Sequence, residues 1–133
     1  MKKKAFLFIL SAILVLGLLA GCGTKQTSGS DSDVIKIGVF EPMTGASAAG
    51  GEMTVEGIKL ANEKLGTVLG KKVDLVIVDN KSDKVEAANA ASRLIDKDKV
   101  VAIIGSYGSS LSMAAGDIVK AAQIPAVGCS PTN

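Results

Sequence analysis

The segment VVAIIGSYGSS, residues 100–110, decides how the rest of the chain is interpreted. Its first six residues are apolar at both alternating positions, which predicts a strand with both faces covered. The glycines of GSYGSS let the backbone approach a ligand, and its hydroxyls stand at the start of a helix, where free N–H groups favour an anion. The pattern therefore predicts a buried strand followed by a polar, ligand-binding loop.

Strand patterns recur on both sides of this segment. β-branched or apolar runs at residues 34–40, 73–79 and 124–128 predict three further strands. Helical periodicity separates the strands, and each connection is long enough to carry a helix back over a parallel sheet. The predicted order is β-α-β-α-β-α-β, an α/β fold with a doubly wound parallel sheet. The sheet would end at an unpaired strand, which suggests that further chain is missing.

The three predicted helices each have an apolar stripe. The first runs from Glu52 to Gly66 or Gly70, after a loop at residues 41–51; the second is capped by Ser82 or Asp83, and the third covers residues 109–122. The expected inward faces are Val55, Ile58, Ala61 and Leu65, then Val85, Ala88, Ala91 or Ser92, and Ile95, and finally Leu111, Ala115, Ile118 and Ala122.

A ligand in an open α/β sheet lies beyond the carboxyl ends of the strands, where the strand order reverses. With the strand order 2-1-3-4, the loops at residues 41–51 and 105–110 would meet there, together with residues 129–132. Ser109 could instead serve only as a helix cap, and Ser130 and Thr132 could be ordinary turn residues.

The amino terminus has the order of an export signal. Lys2, Lys3 and Lys4 precede an apolar run at residues 5–20, which is short for a membrane-spanning helix. Leu19-Ala20-Gly21-Cys22 resembles the lipobox of bacterial lipoproteins, which implies a signal peptide at residues 1–21 and lipidation of Cys22. Residues 22–33 then form the lipidated cysteine and a flexible tether. An uncleaved membrane anchor is the alternative.

Composition argues against several classes of function. Cleavage would remove three of the 15 basic side chains and leave 12 against 13 acidic ones, so no basic patch remains for nucleic acid. The chain has no histidine, and lipidation of Cys22 would leave Cys129 without a partner for a disulfide or a structural zinc site. We expect no metal and no cofactor.

Motifs for enzyme chemistry are weak. The stretch from Gly45 to Gly51 lacks the Lys and Ser or Thr of a phosphate-binding loop, because Gly51 and Glu52 stand in their places. Glu41 and Asp79 follow strands and could act as catalytic acids, but without a histidine or a recognisable nucleophile they are better interpreted as capping or loop charges. We expect the protein not to be an enzyme.

Four segments occur together in an order typical of one family. They are IKIGVFEPMTGASAAGGEMTVEGIKLANE, VDNKSD, VVAIIGSYGSS and IPAVGCSPTN, and the similarity extends over residues 34–133. The chain resembles the leucine/isoleucine/valine-binding proteins of bacterial ABC transporters, which have the type I periplasmic-binding fold. The resemblance implies two lobes that close over one amino acid, with residues 34–133 as a partial amino-terminal lobe.

The resemblance also implies the binding residues. Ser109, with Ser110 beside it, would hold the ligand carboxylate, while the Ser130 carbonyl and the Thr132 hydroxyl would accept from its ammonium group. The chain departs from the family at Gly50-Gly51, where many relatives have an aromatic residue before the glycine, so a contact to the ligand side chain or to the opposing lobe is missing. The second lobe, with its acidic partner for the ammonium group, is also absent, and we expect a truncated chain that binds ligand weakly by itself.

The implied function is an extracytoplasmic, lipid-anchored receptor that delivers leucine, isoleucine, valine or a related amino acid to an ABC permease. One alternative is a receptor for amides, urea or other small solutes of the same superfamily. Another is an anchored sensor domain that signals through a partner. An enzyme on a flavodoxin-like sheet is the weakest alternative.

Overall fold

The computed structural model describes residues 34–132, so the expected signal peptide, Cys22 and the tether lie outside the described residues. Strands and helices alternate along this part of the chain. The elements, in chain order, are β1 (Val34–Glu41), α1 (Ala48–Leu65), β2 (Thr67–Val68), β3 (Lys71–Asp79), α2 (Lys84–Asp96), β4 (Ala102–Ile104), α3 (Ser109–Ala121) and β5 (Ala126–Val127). Within residues 34–132, no helix is both long and apolar enough to cross a bilayer.

The five strands form one sheet in the order β2-β3-β1-β4-β5. Strand β1 is parallel to both β3 and β4, and β4 is parallel to β5. These four strands have the anticipated order 2-1-3-4, and the α/β doubly wound prediction is confirmed. The chain turns back from β1 to β3 and then crosses to β4, so the strand order reverses beside β1.

The short strand β2 was not predicted. It pairs antiparallel with the start of β3, with Thr67 opposite Lys72 and Val68 opposite Lys71. The turn between the two strands places Leu69 at φ 53° and Gly70 at φ 78°. Two consecutive residues with positive φ are typical of a tight hairpin, and a leucine rarely adopts that conformation. Residues 67–72 therefore carry little sequence indication of a hairpin.

Helix α1 begins earlier than predicted, at Ala48, and includes Gly50 and Gly51 in its first turn. Both glycines are buried. They lie so close to their neighbours that a Cβ at Gly51 would meet the Pro42 carbonyl and one at Gly50 would meet the Tyr107 ring. The predicted inward face is only partly correct. Val55 is buried and Ile58 is half-buried, but Ala61 and Leu65 are exposed.

Helix α2 has the predicted cap but a different inward face. The Asp83 carboxylate accepts from the backbone N–H groups of Val85 and Glu86, at 2.8 and 2.9 Å. The predicted stripe is wrong at Val85, which is 68% exposed, and only Ala91 of that stripe is fully buried. The buried face consists of Ala87, Ala90, Ala91 and Leu94, and Ile95 packs against its edge.

Helix α3 follows the prediction more closely. Leu111 and Ala115 are buried and Ile118 is half-buried, but Val119 takes the place expected for Ala122, which is exposed. Helices α2 and α3 pack beside each other, and their buried side chains join Phe40, Val78, Val100 and Ile103 in one apolar core. The core therefore lies between these two helices and the sheet.

The two last strands are shorter than predicted. Residues 102–104 form β4 and residues 126–127 form β5. The expectation that both faces of the third predicted strand are covered is only partly confirmed, because Ile103 is 1% exposed whereas Ala102 and Ile104, on the opposite face of β4, are half-buried. Strand β5 is exposed along its length.

The corrected register of α2 generates a test with a matched pair of variants. Leu94→Ala should destabilise the protein by about 2–5 kcal/mol, because it removes a fully buried side chain and leaves a cavity. Val85→Ala should change the free energy of unfolding by less than about 0.5 kcal/mol, as expected for a surface site. Urea denaturation measures both. A larger loss of unfolding free energy for Val85→Ala than for Leu94→Ala would show that the face predicted from the sequence, with Val85, is the buried one.

Candidate functional site

Three loops meet where β1, β4 and β5 end. They comprise residues 42–47, 105–108 and 128–132, and we call their common edge the rim. The rim lies at the carboxyl ends of parallel strands, beside the point where the strand order reverses, as the sequence predicted. The predicted binding residues Ser109, Ser130 and Thr132 all lie on it or at its border.

The side chain of Glu41 joins the three strand ends under the rim. Its carboxylate is fully buried and accepts a hydrogen bond from the backbone N–H of Tyr107, over 2.6 Å. Its second oxygen lies 3.0 Å from the Cys129 Sγ, which donates to it. One carboxylate at the end of β1 therefore fixes the loops that follow β4 and β5.

Burial and neighbouring groups shift the pKa values of both Glu41 and Cys129. Burial raises the pKa of the Glu41 carboxyl, and the hydrogen bonds from Cys129 and the Tyr107 N–H oppose that shift only in part. Burial, the hydrogen bond to Glu41 and the charge of Glu41 raise the pKa of Cys129 to about 12. The Cys129 thiol therefore stays protonated at neutral pH, where it acts as a donor and not as a nucleophile.

Asp79 at the end of β3 holds the first rim loop. Its Oδ1 accepts from the backbone N–H groups of Met43, Thr44 and Lys81, at 2.8, 3.3 and 2.8 Å, and its Oδ2 accepts from the Thr44 hydroxyl at 2.7 Å. Burial alone would raise the pKa of this carboxyl, but the hydrogen bonds from Thr44, Lys81 and Met43 together lower it. Glu41 and Asp79 therefore both hold rim loops through hydrogen bonds.

The loop after β4 is fixed by a second, uncharged network. The Asn80 amide donates to the Ser106 hydroxyl at 2.9 Å, and both side chains are fully buried. The Ser112 hydroxyl accepts from the Ser106 N–H and donates to the Ser106 carbonyl, both at 3.0 Å. A fully satisfied buried network of this kind makes a loop rigid.

Ser109 and Thr132 are brought together across the rim. The Ser109 Oγ accepts from the Thr132 backbone N–H at 2.9 Å and lies 3.5 Å from the Thr132 Oγ1. The alternative that Ser109 caps α3 is wrong, because Gly108 is the N-cap residue and Ser109 is the first residue of the helix. A hydroxyl has one proton and two lone pairs, so after this acceptor contact Ser109 can donate its proton either to the Thr132 Oγ1 or to a ligand.

Ser110 and Ser130 are exposed beside this pair. Ser110 lines an open hollow of about 490 Å³ together with Lys84, Ser109, Met113 and Ala114. Lys84, the first residue of α2, was not singled out from the sequence, but it lines the same hollow as Ser109 and Ser110. Its ammonium group adds positive charge beside the amino end of α3, where a helix dipole also favours an anion.

Tyr107 was also missed by the sequence interpretation. Its ring lies directly on Gly50, so the space that seemed empty at Gly50-Gly51 contains an aromatic side chain from the loop after β4. The ring remains 40% exposed at the rim. The sequence feature that could have revealed this contact is the combination of Gly50 in the predicted loop at residues 41–51 with the aromatic Tyr107 in the segment VVAIIGSYGSS.

These groups can bind a zwitterion but offer little for covalent chemistry. Hydroxyls, free helix N–H groups and a lysine suit a carboxylate, and backbone carbonyls suit an ammonium group. Among residues 34–132, no group of three His, Cys, Asp or Glu side chains is placed to hold a metal ion.

A family model described as periplasmic binding protein matches residues 34–133. An amino acid binding protein of Pseudomonas aeruginosa is 33% identical over 136 residues, which span 100% of this chain and 35% of that protein. The chain thus spans about a third of this curated relative's length.

Two solved structures are similar as well. The leucine binding protein LivK of Thermotoga maritima is 49% identical with a TM-score of 0.73, and the match covers 74% of this chain and 28% of that one. The branched-chain amino acid transporter substrate binding protein LivJ of Streptococcus pneumoniae, solved with isoleucine, is 33% identical with a TM-score of 0.72, over 75% of this chain and 30% of that one. The fold, the family match over residues 34–133 and these relatives agree that the chain belongs to the periplasmic binding protein family.

Proposed function

We propose that the protein is the substrate-binding component of an ABC transporter for branched-chain or related amino acids. The observation that carries the proposal is the Ser109–Thr132 pair, which presents two hydroxyl groups at the amino end of α3. The similarity to a leucine binding protein at 49% identity supports the choice of ligand class.

The proposed binding mode divides the ligand between two sets of groups. Its carboxylate accepts from the Ser109 and Ser110 hydroxyls and from the free N–H groups of the first turn of α3, with Lys84 nearby. Its ammonium group donates to the Ser130 carbonyl and the Thr132 hydroxyl. This binding uses no covalent step, and we therefore propose that the protein is not an enzyme.

The remaining parts of the proposal concern the whole protein. A second lobe would close over the ligand and supply an acidic partner for its ammonium group. Lipidation of Cys22 would hold the receptor on the extracytoplasmic side of the cell membrane, from which it delivers ligand to a permease. Two acyl chains anchor a protein durably where one does not.

Ligand affinity tests the binding mode in protein expressed from the full gene. Ser109→Ala should weaken leucine, isoleucine or valine binding about ten- to a hundredfold, because it removes a charge-assisted hydrogen bond worth about 1.5–3 kcal/mol. Thr67→Ala, which removes an exposed hydroxyl on β2, is the matched control and should leave affinity unchanged. Isothermal titration calorimetry with a panel of amino acids, amides and urea gives both numbers.

Two outcomes would count against this binding mode. An unchanged dissociation constant for Ser109→Ala would remove Ser109 from the site. Tight binding of an amide or of urea, with none for the three amino acids, would favour a receptor for other small solutes.

Cell fractionation tests the lipid anchor. Cys22→Ser should release the protein from the membrane fraction, because the thiol that carries the lipid is gone. A Cys129→Ser variant controls for loss of a thiol as such and should stay with the membrane. Membrane retention of Cys22→Ser with an uncut leader would show that the apolar run at residues 5–20 is itself the anchor.

A further inference from the structure

The basic residues of the domain are concentrated at the end of the sheet opposite the rim. This end contains the starts of the parallel strands and the last turns of the three helices, because each helix returns the chain to the edge at which the next strand begins. We call it the amino edge, and it comprises residues 34–36, 63–74, 93–101 and 120–125. It holds eight of the 11 basic residues of residues 34–132 but only four of the 11 acidic ones. A domain without net charge therefore has one positive edge.

Most of the positive charge at this edge is not neutralised by neighbouring carboxylates. The eight basic residues are Lys36, Lys64, Lys71, Lys72, Arg93, Lys97, Lys99 and Lys120, and the four acidic ones are Glu63, Asp74, Asp96 and Asp98. Arg93 pairs with Asp98 at 3.3 Å, and the Lys36 ammonium group donates to the Asp98 carbonyl at 3.4 Å. No carboxylate of residues 34–132 lies within ion-pairing distance of five exposed lysines, namely Lys64, Lys72, Lys97, Lys99 and Lys120.

Helix dipoles explain only part of this pattern. Lys64, Arg93 and Lys120 stand in the last turns of helices, where a positive charge is favourable in any protein. Lys71 and Lys72, by contrast, begin strand β3. Helix stabilisation does not require these two charges, so the edge as a whole indicates an anionic partner.

Apolar side chains are exposed at the same edge. Leu65, Val68 and Leu69, at the end of α1 and in the hairpin that joins β2 to β3, are 76%, 46% and 95% exposed. Lys64 and Lys72 flank them, and both lysines line one open hollow of about 650 Å³ together with Leu65. Exposed leucines beside lysines are typical of surfaces that enter the interface of a bilayer containing anionic lipids.

The expected lipid anchor joins the domain at this edge as well. Residues 22–33 lead directly into Val34, the first residue of β1, and Val34 is paired with Lys72 in the register of β1 and β3. Twelve residues span at most about 40 Å when fully extended. Lipidation of Cys22 would therefore keep the hairpin within reach of the membrane surface.

We propose that the amino edge binds anionic lipid headgroups, with the tip of the β2–β3 hairpin in the bilayer interface and the surrounding lysines on the phosphates. The proposal rests on the proposed function for the lipid anchor, which brings the edge to the membrane. It uses none of the residues assigned to the amino-acid ligand. Because the rim lies at the opposite ends of the same strands, binding through the amino edge turns the rim away from the bilayer and leaves it open to solute.

Vesicle binding tests the charged part of this surface. Protein expressed from the full gene but starting at Gly23 carries no acyl chain, and it should bind vesicles of phosphatidylglycerol and phosphatidylcholine far better than vesicles of phosphatidylcholine alone. Lys72→Gln should weaken binding to the mixed vesicles about fivefold, as expected for one lysine at an anionic membrane surface. Lys59→Gln is the matched control and should leave binding unchanged, because Lys59 lies outside the amino edge and pairs with Glu56. Cosedimentation with the vesicles measures all three proteins.

The hairpin tip has its own pair of variants. Leu69→Ser should weaken binding to the mixed vesicles about tenfold, because it removes apolar surface that the bilayer interface would bury. Met53→Ser should leave binding unchanged, because Met53 is 72% exposed but lies in the half of α1 nearer the rim. Both substitutions replace exposed side chains, so neither should prevent folding.

The contrary outcomes are distinct. Equal binding to neutral and mixed vesicles, or equal losses for Lys72→Gln and Lys59→Gln, would overturn the proposal. Unchanged binding of Leu69→Ser, together with complete competition by soluble polyphosphate, would overturn it in favour of a site for free polyanions. Leucine binding by the same protein separates the two proposals, since its retention without vesicle binding would overturn the membrane surface alone. Vesicle binding without leucine binding would support the membrane surface and overturn the proposed function.

Discussion

The buried carboxylate of Glu41 is the contact on which the geometry of the rim depends. It accepts from the Tyr107 N–H and from the Cys129 thiol, which lie 66 and 88 residues further along the chain. A buried backbone N–H without a partner costs about 1–3 kcal/mol, so the loops gain by staying on this acceptor. Both loops lead directly into the residues that we propose bind the ligand. The Glu41 side chain, which is not proposed to contact the ligand, therefore sets the positions of those residues.

This arrangement separates rigid support from the binding surface. Asp79 holds the first loop, Asn80 and Ser106 hold the second, and Glu41 ties the second to the third. The groups left at the surface are short hydroxyls and the Tyr107 ring, and the hydrogen bonds beneath them set their positions. A receptor that recognises a small zwitterion benefits from such pre-organisation, because little ordering remains to oppose binding. A second lobe would then add burial to a first lobe that is already in place.

The sequence predicted the strand order and the rim because those depend on long apolar runs and on topology. It predicted a cap at Ser82 or Asp83 from a local signal, since a capping residue stands next to the helix it starts, and the structure selects Asp83. It failed on the inward face of α2, because alanines at 87, 88, 90 and 91 fit either register, and only packing against α3 selects Leu94 over Val85. Gly50 was mistaken for loop because its role depends on Tyr107, which is distant in sequence.

The free energy of unfolding as a function of pH, compared between the unaltered protein and Glu41→Gln, tests the role of Glu41 most directly. The raised pKa means that the folded state holds its proton more tightly than the unfolded state does, so the carboxyl contributes most stability below about pH 4.3. That contribution is lost as the pH rises through the folded-state pKa. Over the same range Cys129 stays protonated, since its pKa is about 12. The unaltered protein should therefore lose stability relative to Glu41→Gln as the pH rises from about 4.3 through the folded-state pKa of Glu41. A constant difference, or a gain by the unaltered protein, would contradict a buried Glu41 as the support of the rim.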